Sequence, residues 1–199
     1  MRSPADTLAN FHWIVPGEAA RSAQLHGWVL GRFLAARGIK GVINLRGRHP
    51  SYRWWRRETE ACARHGIAHS DVVLDSRMLP LRSMLTALLD AFENTPRPFV
   101  VKCSGGQDRS SFAAAVYLLW RDGWKARGRA EAQFAAWPYL HLPKPEQRWL
   151  RQFPVFAALQ GAGMPFSDWV RQEYDAEMFA AWLLHANRRP PYTRIFPSA

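Results

Sequence analysis

The chain has 199 residues, which fits one domain of ordinary size and leaves little room for two independent ones. Hydrophobic residues make up 48% and charged residues 22%, so the chain can bury a sizeable core, and a disordered or collagen-like protein is excluded. Lysine and arginine exceed aspartate and glutamate by 27 − 16 = 11, which favours an anionic partner without choosing among nucleic acid, phosphoesters and acidic lipid.

The cysteines and the apolar runs predict a cellular location. Cys62 and Cys103 are too few for a disulfide framework and match no zinc motif, so we expect a reducing compartment. The first twenty residues lack the apolar stretch of a secretory signal, and no run of eighteen apolar residues occurs anywhere in the chain. We therefore predict a cytoplasmic protein without a membrane span.

The periodicity predicts a hairpin followed by alternating helices and strands. Two short β runs, 11–15 and 20–24, flank the turn Pro16-Gly17. Helices are then predicted over 26–36, 51–65, 81–92 and 109–121, and strands over 41–45, 72–74 and 99–101. Strands that alternate with helices of this length predict an α/β domain around a largely parallel sheet.

The part of the chain from Trp124 onward is predicted to be helical. Prolines and glycines break it into short pieces, and it is rich in tryptophan. We expect these helices to pack on the α/β body, with a separate small helical lobe as the alternative. Residues 188–199 are rich in proline and arginine and are predicted to be loose.

One segment, residues 100–111, combines the features of a nucleophile site. It runs from a predicted buried strand through a glycine-containing turn into a helix, a position where backbone N–H groups make an anion cradle. Cys103 at the mouth of that cradle is favoured as a thiolate, and Arg109 can fold back as a bidentate clamp for phosphate oxygens. The predicted phosphate-binding residues are Ser104, Gly105, Gly106, Gln107, Asp108 and Arg109.

This Cys-x5-Arg loop resembles the signature of the cysteine-dependent protein tyrosine and dual-specificity phosphatases. Upstream, Arg21-Ser22-Ala23-Gln24 and the run from Gly38 to Arg46 resemble the amino-terminal half of small bacterial and plant-fungal atypical dual-specificity phosphatases. The resemblance covers about residues 21–123. It implies a phosphatase-type α/β core over 1–123, with 124–199 as a helical extension packed on it in one structural unit.

The resemblance also implies a mechanism without a metal or other cofactor. Cys103 would attack phosphorus to form a cysteinyl-phosphate, Arg109 would stabilise the transition state, and water would hydrolyse the intermediate. Ser110, which matches the family's hydroxyl residue after the arginine, would hydrogen-bond the departing thiolate. The chain departs from the family at Lys102, where the residue before the nucleophile is usually histidine.

Three aspartates are candidates for the general acid that protonates the leaving group. The family draws this residue from a loop after a strand, which favours Asp75, 28 residues before Cys103 (103 − 75 = 28). Asp108 ranks second, since Gln107-Asp108-Arg109 resembles the Lys-Asp-Arg loop of a bacterial lipid-and-tyrosine phosphatase group. Asp71 is set aside because it begins the predicted strand and would lie at the wrong end of the sheet.

Other candidate residues have plainer interpretations. Arg46, Arg48 and Arg77 are predicted to line the phosphate entrance, with ordinary surface arginines as the alternative. The run Arg53-Trp54-Trp55-Arg56-Arg57 is interpreted as a helix that buries one tryptophan and exposes its arginines, with a surface that stacks bases or binds polyanions as the alternative. Cys62 is interpreted as a structural cysteine. No metal site is expected, because Gly66 breaks the helix that would align His65 and His69.

The predicted function is hydrolysis of phosphate monoesters, with phosphorylated protein as the default substrate and no nucleic-acid partner. The net charge and the arginines near the loop suggest a phosphoinositide or inositol-polyphosphate phosphatase as the competing enzyme. A catalytically weak phosphate-binding module is a further alternative, and Lys102 is the feature that favours it.

Overall fold

A computed structural model describes residues 3–26, 29–185 and 194–197. They form a five-stranded sheet in the order β1-β2-β5-β3-β4. Its strands are β1 (His12–Val15), β2 (Ala19–Ser22), β3 (Gly41–Asn44), β4 (Ala68–Asp71) and β5 (Phe99–Lys102). β1 pairs with β2 as an antiparallel hairpin and all other neighbours are parallel, which confirms the predicted hairpin and the largely parallel sheet.

Helices cover both faces of this sheet. They are α1 (Pro4–Leu8), α2 (Val29–Ala35), α3 (Arg53–Arg64), α4 (Arg82–Asn94), α5 (Asp108–Asp122), α6 (Arg127–Ala132), α7 (Phe153–Gly161), α8 (Phe166–Gln172) and α9 (Ala176–His185), with 3-10 turns at Trp124–Ala126 and Pro145–Gln152. None of the helices within the described residues has both the length and the apolar character needed to cross a bilayer. The four helices predicted over 26–36, 51–65, 81–92 and 109–121 correspond to α2, α3, α4 and α5, with ends shifted by a few residues, and are confirmed. Positions 27 and 28 of the first predicted helix lie outside the described residues.

Alternating side chains of the strands divide the core into two layers. In β5, Phe99 and Val101 pack on the side of α4 and α5, and Val100 packs on the side of α2 and α3. This alternation follows from the two-residue period of a strand, and it explains why β5 is apolar without interruption before Lys102.

The predicted strand over 72–74 is wrong: β4 occupies Ala68–Asp71. β4 lies at the edge of the sheet with all four residues at least partly exposed, so its sequence carries no apolar signal. The apolar residues that follow continue along β3, where Val72 and Leu74 donate N–H to the carbonyls of Asn44 (2.9 Å) and Leu45 (3.3 Å). Asp71 therefore ends the strand at the carboxyl edge of the sheet, and the reason given for setting it aside is wrong.

The helical extension packs on α5 through aromatic side chains. Phe112 of α5 lies edge-on to Trp149 and Phe153, with ring centroids 5.2 and 5.0 Å apart, and all three are buried in one cluster with the strands. The division at residue 123 itself stays a prediction. Arg194 and Phe196 pair by backbone hydrogen bonds with Leu79, so the predicted loose end is wrong there; residues 188–193 and 198–199 lie outside the described residues.

We expect Phe153→Ala to lower the free energy of unfolding by about 3–5 kcal/mol, because the ring is fully buried between the extension and α5. Leu159→Ala on the same helix is the matched control, since Leu159 is 59% exposed, and we expect about 0.5 kcal/mol or less. Urea unfolding of the full chain measures both. A loss below about 1 kcal/mol for Phe153→Ala would contradict the packing of the extension on the body.

Candidate functional site

The candidate nucleophile lies at the carboxyl edge of the sheet. β5 is a central strand between β2 and β3, and it ends at Lys102. Cys103 follows directly and is buried, the chain turns through residues 104–107, and α5 begins at Asp108. The strand–loop–helix arrangement that the sequence predicts is present, and the parallel neighbours of β5 direct their own carboxyl ends at the same place.

The first carbonyls of the loop point away from its centre toward fixed donors. The backbone N–H of Gln24, just after β2, donates to the Ser104 carbonyl at 2.9 Å. The amide Nδ2 of Asn10 donates to the carbonyls of Gly105 (3.4 Å) and Gly106 (3.0 Å). Asn10 lies 95 residues or more from these partners in the chain, so this contact forms only in the folded protein.

A buried arginine holds the remaining loop carbonyls. Nη2 of Arg21 donates to the carbonyls of Gly106 (2.9 Å) and Gln107 (3.2 Å) and to the Ser111 hydroxyl (2.6 Å). The Ser111 hydroxyl in turn donates to the Gln107 carbonyl. Four successive carbonyls, of residues 104–107, are thereby engaged outside the loop.

The amides of the loop are left facing the other way. In a planar trans peptide the N–H points opposite to the C=O of the same unit, so outward carbonyls turn the N–H groups of residues 105–108 inward. Among the described residues, no hydrogen bond uses these N–H groups. Free backbone N–H groups that converge at a helix N-terminus can form an anion site, and here the loop that carries them begins directly after Cys103.

One of the two loop glycines is required by the geometry. Gly106 has φ +67°, and a Cβ at this position would lie 2.5 Å from the backbone N of Ala23 and 2.7 Å from the backbone C of Ser22. Gly105 has no positive φ, and the nearest atom to its Cβ position would be 3.6 Å away, in the Gln107 side chain. The sequence predicts that both glycines let the loop curl, and the structure assigns that role to Gly106.

Arg109 contacts the backbone of the residue that precedes Asp75. Nη1 of Arg109 donates to the carbonyl of Leu74 at 3.4 Å, next to Asp75. The Asp75 Oδ1 accepts N–H groups of Arg77 (2.6 Å) and Met78 (3.2 Å), and its Oδ2 has no hydrogen bond within the described part of the chain. Asp75 also lines a cavity of about 470 Å³ together with Arg77, Met78, Glu146 and Arg194, and none of these lining residues belongs to the loop.

The other two candidate aspartates have their oxygens engaged. Gln147 donates to Asp108 Oδ2 at 3.0 Å, and the ring Nδ1 of the fully buried His141 lies 3.2 Å from Asp108 Oδ1. Asp71 accepts Nδ2 of Asn44 at 2.6 Å and the indole N–H of Trp55 at 3.0 and 3.1 Å. All four carboxylate oxygens thus have a polar neighbour, although the contact between His141 and Asp108 lacks the geometry of a hydrogen bond.

Lys102, the residue directly before Cys103, belongs to a buried cluster of charged side chains. Its Nζ lies 2.6 Å from Glu58 Oε1 and donates to Gln24 Oε1 at 2.8 Å, and His69 contacts the same Glu58 oxygen at 2.9 Å. Burial lowers the pKa of Lys102 to about 8, although Glu58 acts in the opposite direction. Burial alone would raise the pKa of Glu58, but hydrogen bonds from His69 and Lys102 hold it below its usual range. Lys102 thus faces Glu58 rather than the loop.

Among the predicted entrance arginines, Arg46 is the one held in place. Its guanidinium stacks on the Trp54 ring at 3.6 Å and donates to Gln24 Oε1 at 3.3 Å. Burial lowers the pKa of Arg46, and the nearby positive charge of Arg109 lowers it further, so the two guanidinium groups lie within electrostatic reach of each other. Arg48 is exposed, and Arg77 is exposed and lies 3.7 Å from a Glu146 oxygen.

The remaining predictions have mixed outcomes. The Ser110 hydroxyl donates to the Ser22 carbonyl at 3.4 Å, so its role toward the thiolate stays a prediction. Cys62 is buried, and burial raises the pKa of its thiol to about 12, as suits a structural cysteine. Both Trp54 and Trp55 are half-buried rather than one of them. Across the described ranges no cluster of three or more His, Cys, Asp or Glu side chains is placed to hold a metal ion.

Sequence reasoning missed several residues that support the site, namely Asn10, Glu58, His141 and Gln147. One of them had a usable signal. A lysine at the end of an uninterrupted apolar strand needs a buried counter-charge, which predicts a carboxylate such as Glu58 on a neighbouring helix. The others are single polar residues in loops, and no local pattern marks them.

No family model matches this chain, and no curated protein does. Solved structures do match it. TpbA of P. aeruginosa is 18% identical with TM-score 0.56, covering 86% of this chain and 97% of its own. The core catalytic domain of the PP-IP phosphatase SIW14 of S. cerevisiae is 17% identical with TM-score 0.54, covering 91% and 94%. PTPMT1 in complex with PI(5)P is 18% identical with TM-score 0.53, covering 76% and 98%.

These three proteins are cysteine-based atypical dual-specificity tyrosine phosphatases. At 17–18% identity the likeness shows a shared fold. The phosphatase-type fold that the resemblance implies is confirmed.

We expect Gly106→Ala to weaken binding of tungstate, a tetrahedral oxyanion, by about 10²-fold or more, because the new Cβ forces the loop off β2. Gly105→Ala is the matched control and should bind within a few-fold of wild type. Isothermal calorimetry on the full chain measures both, with circular dichroism to confirm folding. Equal affinities for the two variants would contradict the assigned role of Gly106.

Proposed function

We propose that this protein is a phosphate monoester hydrolase that works through a cysteinyl-phosphate on Cys103. The observation that carries the proposal is the set of loop amides at residues 105–108, which lie between Cys103 and Arg109 in the chain and have no hydrogen-bond partner among the described residues. Such a site matches the three oxygens of a phosphoryl group, and the charge on those oxygens is what the transition state requires it to stabilise.

The proposed reaction has two steps and uses no metal or cofactor. The thiolate of Cys103 attacks phosphorus, a S–P bond forms, the ester P–O bond breaks, and the leaving oxygen takes a proton from Asp75. Water then attacks phosphorus and gives its proton to Asp75, the S–P bond breaks, and inorganic phosphate and the thiolate are regenerated. The hydroxyl of Ser110 is proposed to donate a hydrogen bond to the departing thiolate in this second step.

Asp75 is the proposed acid because one of its oxygens is free. Its Oδ2 has no hydrogen bond within the described residues, and the carbonyl of the preceding residue, Leu74, accepts from Arg109, which places the backbone before Asp75 next to the proposed clamp. Asp108 has one oxygen bound to Gln147 and the other against His141. Each Asp108 oxygen thus has a polar contact, whereas Asp75 Oδ2 has no hydrogen bond or ion pair among the described residues, which favours Asp75.

The first test measures hydrolysis of phenyl phosphate, whose poor leaving group needs the acid. We expect turnover by the wild-type chain, loss of turnover in Cys103→Ser, and a loss of about 10²–10⁴-fold in Asp75→Asn together with the disappearance of the decline in rate at high pH. Asp108→Asn is the control and should keep the wild-type pH profile.

An unchanged profile in Asp75→Asn, with a changed one in Asp108→Asn, would reverse this assignment. If the wild-type chain binds tungstate but hydrolyses no monoester, the proposal of an enzyme is wrong and a phosphate-binding module is the better interpretation.

A substrate with two neighbouring phosphate groups is the second candidate, and Arg46 favours it. Arg46 is stacked on Trp54 and lies within electrostatic reach of Arg109, so a second phosphate beside the first would meet a cation already held in place. Among the structural neighbours, SIW14 is a PP-IP phosphatase and PTPMT1 binds PI(5)P, which supports testing this class.

We expect Arg46→Gln to raise KM for an inositol polyphosphate about tenfold and to leave KM for p-nitrophenyl phosphate nearly unchanged, because only the first carries a second phosphate. Arg48→Gln is the matched control, since Arg48 is an exposed arginine two residues away. Steady-state kinetics on both substrates decide the point. Equal effects of Arg46→Gln on the two substrates would exclude a second phosphate site there.

We also propose a reducing, cytoplasmic location. Cys62 and Cys103 are both free thiols, and the proposed nucleophile reacts only in its reduced form.

A further inference from the structure

Arg21 is a buried cation directly beneath the candidate loop. Its side chain is 0% exposed, which is rare for arginine unless an anion accompanies it. In addition to its hydrogen bonds with the loop carbonyls, Arg21 contacts the helical extension. Its Nη1 donates to the Gln133 carbonyl at 3.0 Å, and the Tyr139 ring lies 4.5 Å from the guanidinium carbon. The guanidinium is thus enclosed by the loop on one side and by the helical extension on the other.

No carboxylate within the described residues forms a hydrogen bond or an ion pair with Arg21. The hydrogen-bond partners of Arg21 are carbonyls, a side-chain amide and a hydroxyl, all uncharged, and its Nε has no hydrogen bond in the described part of the chain. Burial lowers the pKa of Arg21 to about 10, and the strongest opposing influence comes from Cys103, ahead of Tyr139 and Asp108. The hydrogen bonds of Arg21 to the carbonyls of Gly106 and Gln107 place its charge directly next to the loop.

We propose that Arg21 is a positioning residue of the phosphate site, which fixes the loop carbonyls and supplies the counter-charge for the Cys103 thiolate and for the bound oxyanion. It acts through the loop and does not touch the substrate. By holding the carbonyls of Gly106 and Gln107, it sets the inward direction of the next two N–H groups, those of Gln107 and Asp108. This inference rests on the proposed function, since it assigns a role at the same site.

A purely structural role is the competing explanation, because Arg21 also joins the extension to the body. That role predicts a loss of stability alone. The proposed role predicts in addition weaker oxyanion binding and a less reactive thiol in a chain that is still folded.

The test uses the full chain with Arg21→Met, which keeps most of the side-chain volume and removes the charge and the donors. We expect tungstate binding to weaken at least tenfold, and the midpoint of the pH dependence of Cys103 alkylation by iodoacetamide to rise by about one pH unit. Peptide mapping separates Cys103 from Cys62. Arg37→Met is the matched control, since Arg37 also stacks on an aromatic ring, that of Phe33, but away from the loop, and it should change neither readout.

Arg21→Lys separates charge from geometry. It should keep the alkylation midpoint near the wild-type value and weaken tungstate binding several-fold, because a lysine retains the charge but not the two-pronged donor. If Arg21→Met does not fold by circular dichroism, Arg21→Lys decides alone. Wild-type values for both readouts in whichever folded variant decides would overturn the proposal.

Neither readout needs turnover. A wild-type chain that hydrolyses no phosphate ester, yet binds tungstate and loses that binding in Arg21→Met, would refute the proposed function and support this role of Arg21.

Discussion

The site depends on the outward hydrogen bonds of four successive loop carbonyls. Asn10, Gln24 and Arg21 hold these carbonyls, and the N–H groups that follow face inward as a consequence. Loss of a single oxyanion donor typically costs about 10²–10³ in rate, so small rotations of these peptides matter more than the identity of the exposed loop side chains. The loop is therefore a property of the surrounding fold rather than of its own sequence.

The helical extension contributes to both sides of this site. Next to Asp75, the side chain of Gln147 donates to the Ser76 hydroxyl, and the indole N–H of Trp149 donates to the Ser76 carbonyl. On the loop side, Gln147 and His141 fix Asp108. The extension thus fixes the position of the segment around Asp75 relative to the loop at Asp108. Its aromatic residues supply the buried area that holds the extension on the body.

Local sequence could predict those parts of the protein in which neighbouring residues carry a clear apolar pattern or a motif. Cys103 and Arg109 lie within seven consecutive residues between an apolar strand and an apolar helix, so the strand–loop–helix segment was predictable, and the chemistry assigned to it stays a prediction. β4 was misplaced because an edge strand with a polar sequence has no apolar period, and Asp71 was misjudged with it. The contacts of Asn10 join residues about 95 positions apart, and only the tertiary fold brings them together.

The central claim is that the amides of residues 105–108 bind a tetrahedral oxyanion around Cys103. The most direct measurement is a tungstate titration of the ¹⁵N-labelled full chain followed by amide chemical shifts. The account predicts saturable shifts that are largest for Gly105, Gly106, Gln107 and Asp108, with the Arg109 side-chain Nε responding at the same concentration. Saturable shifts located elsewhere, with these amides unmoved, would contradict it.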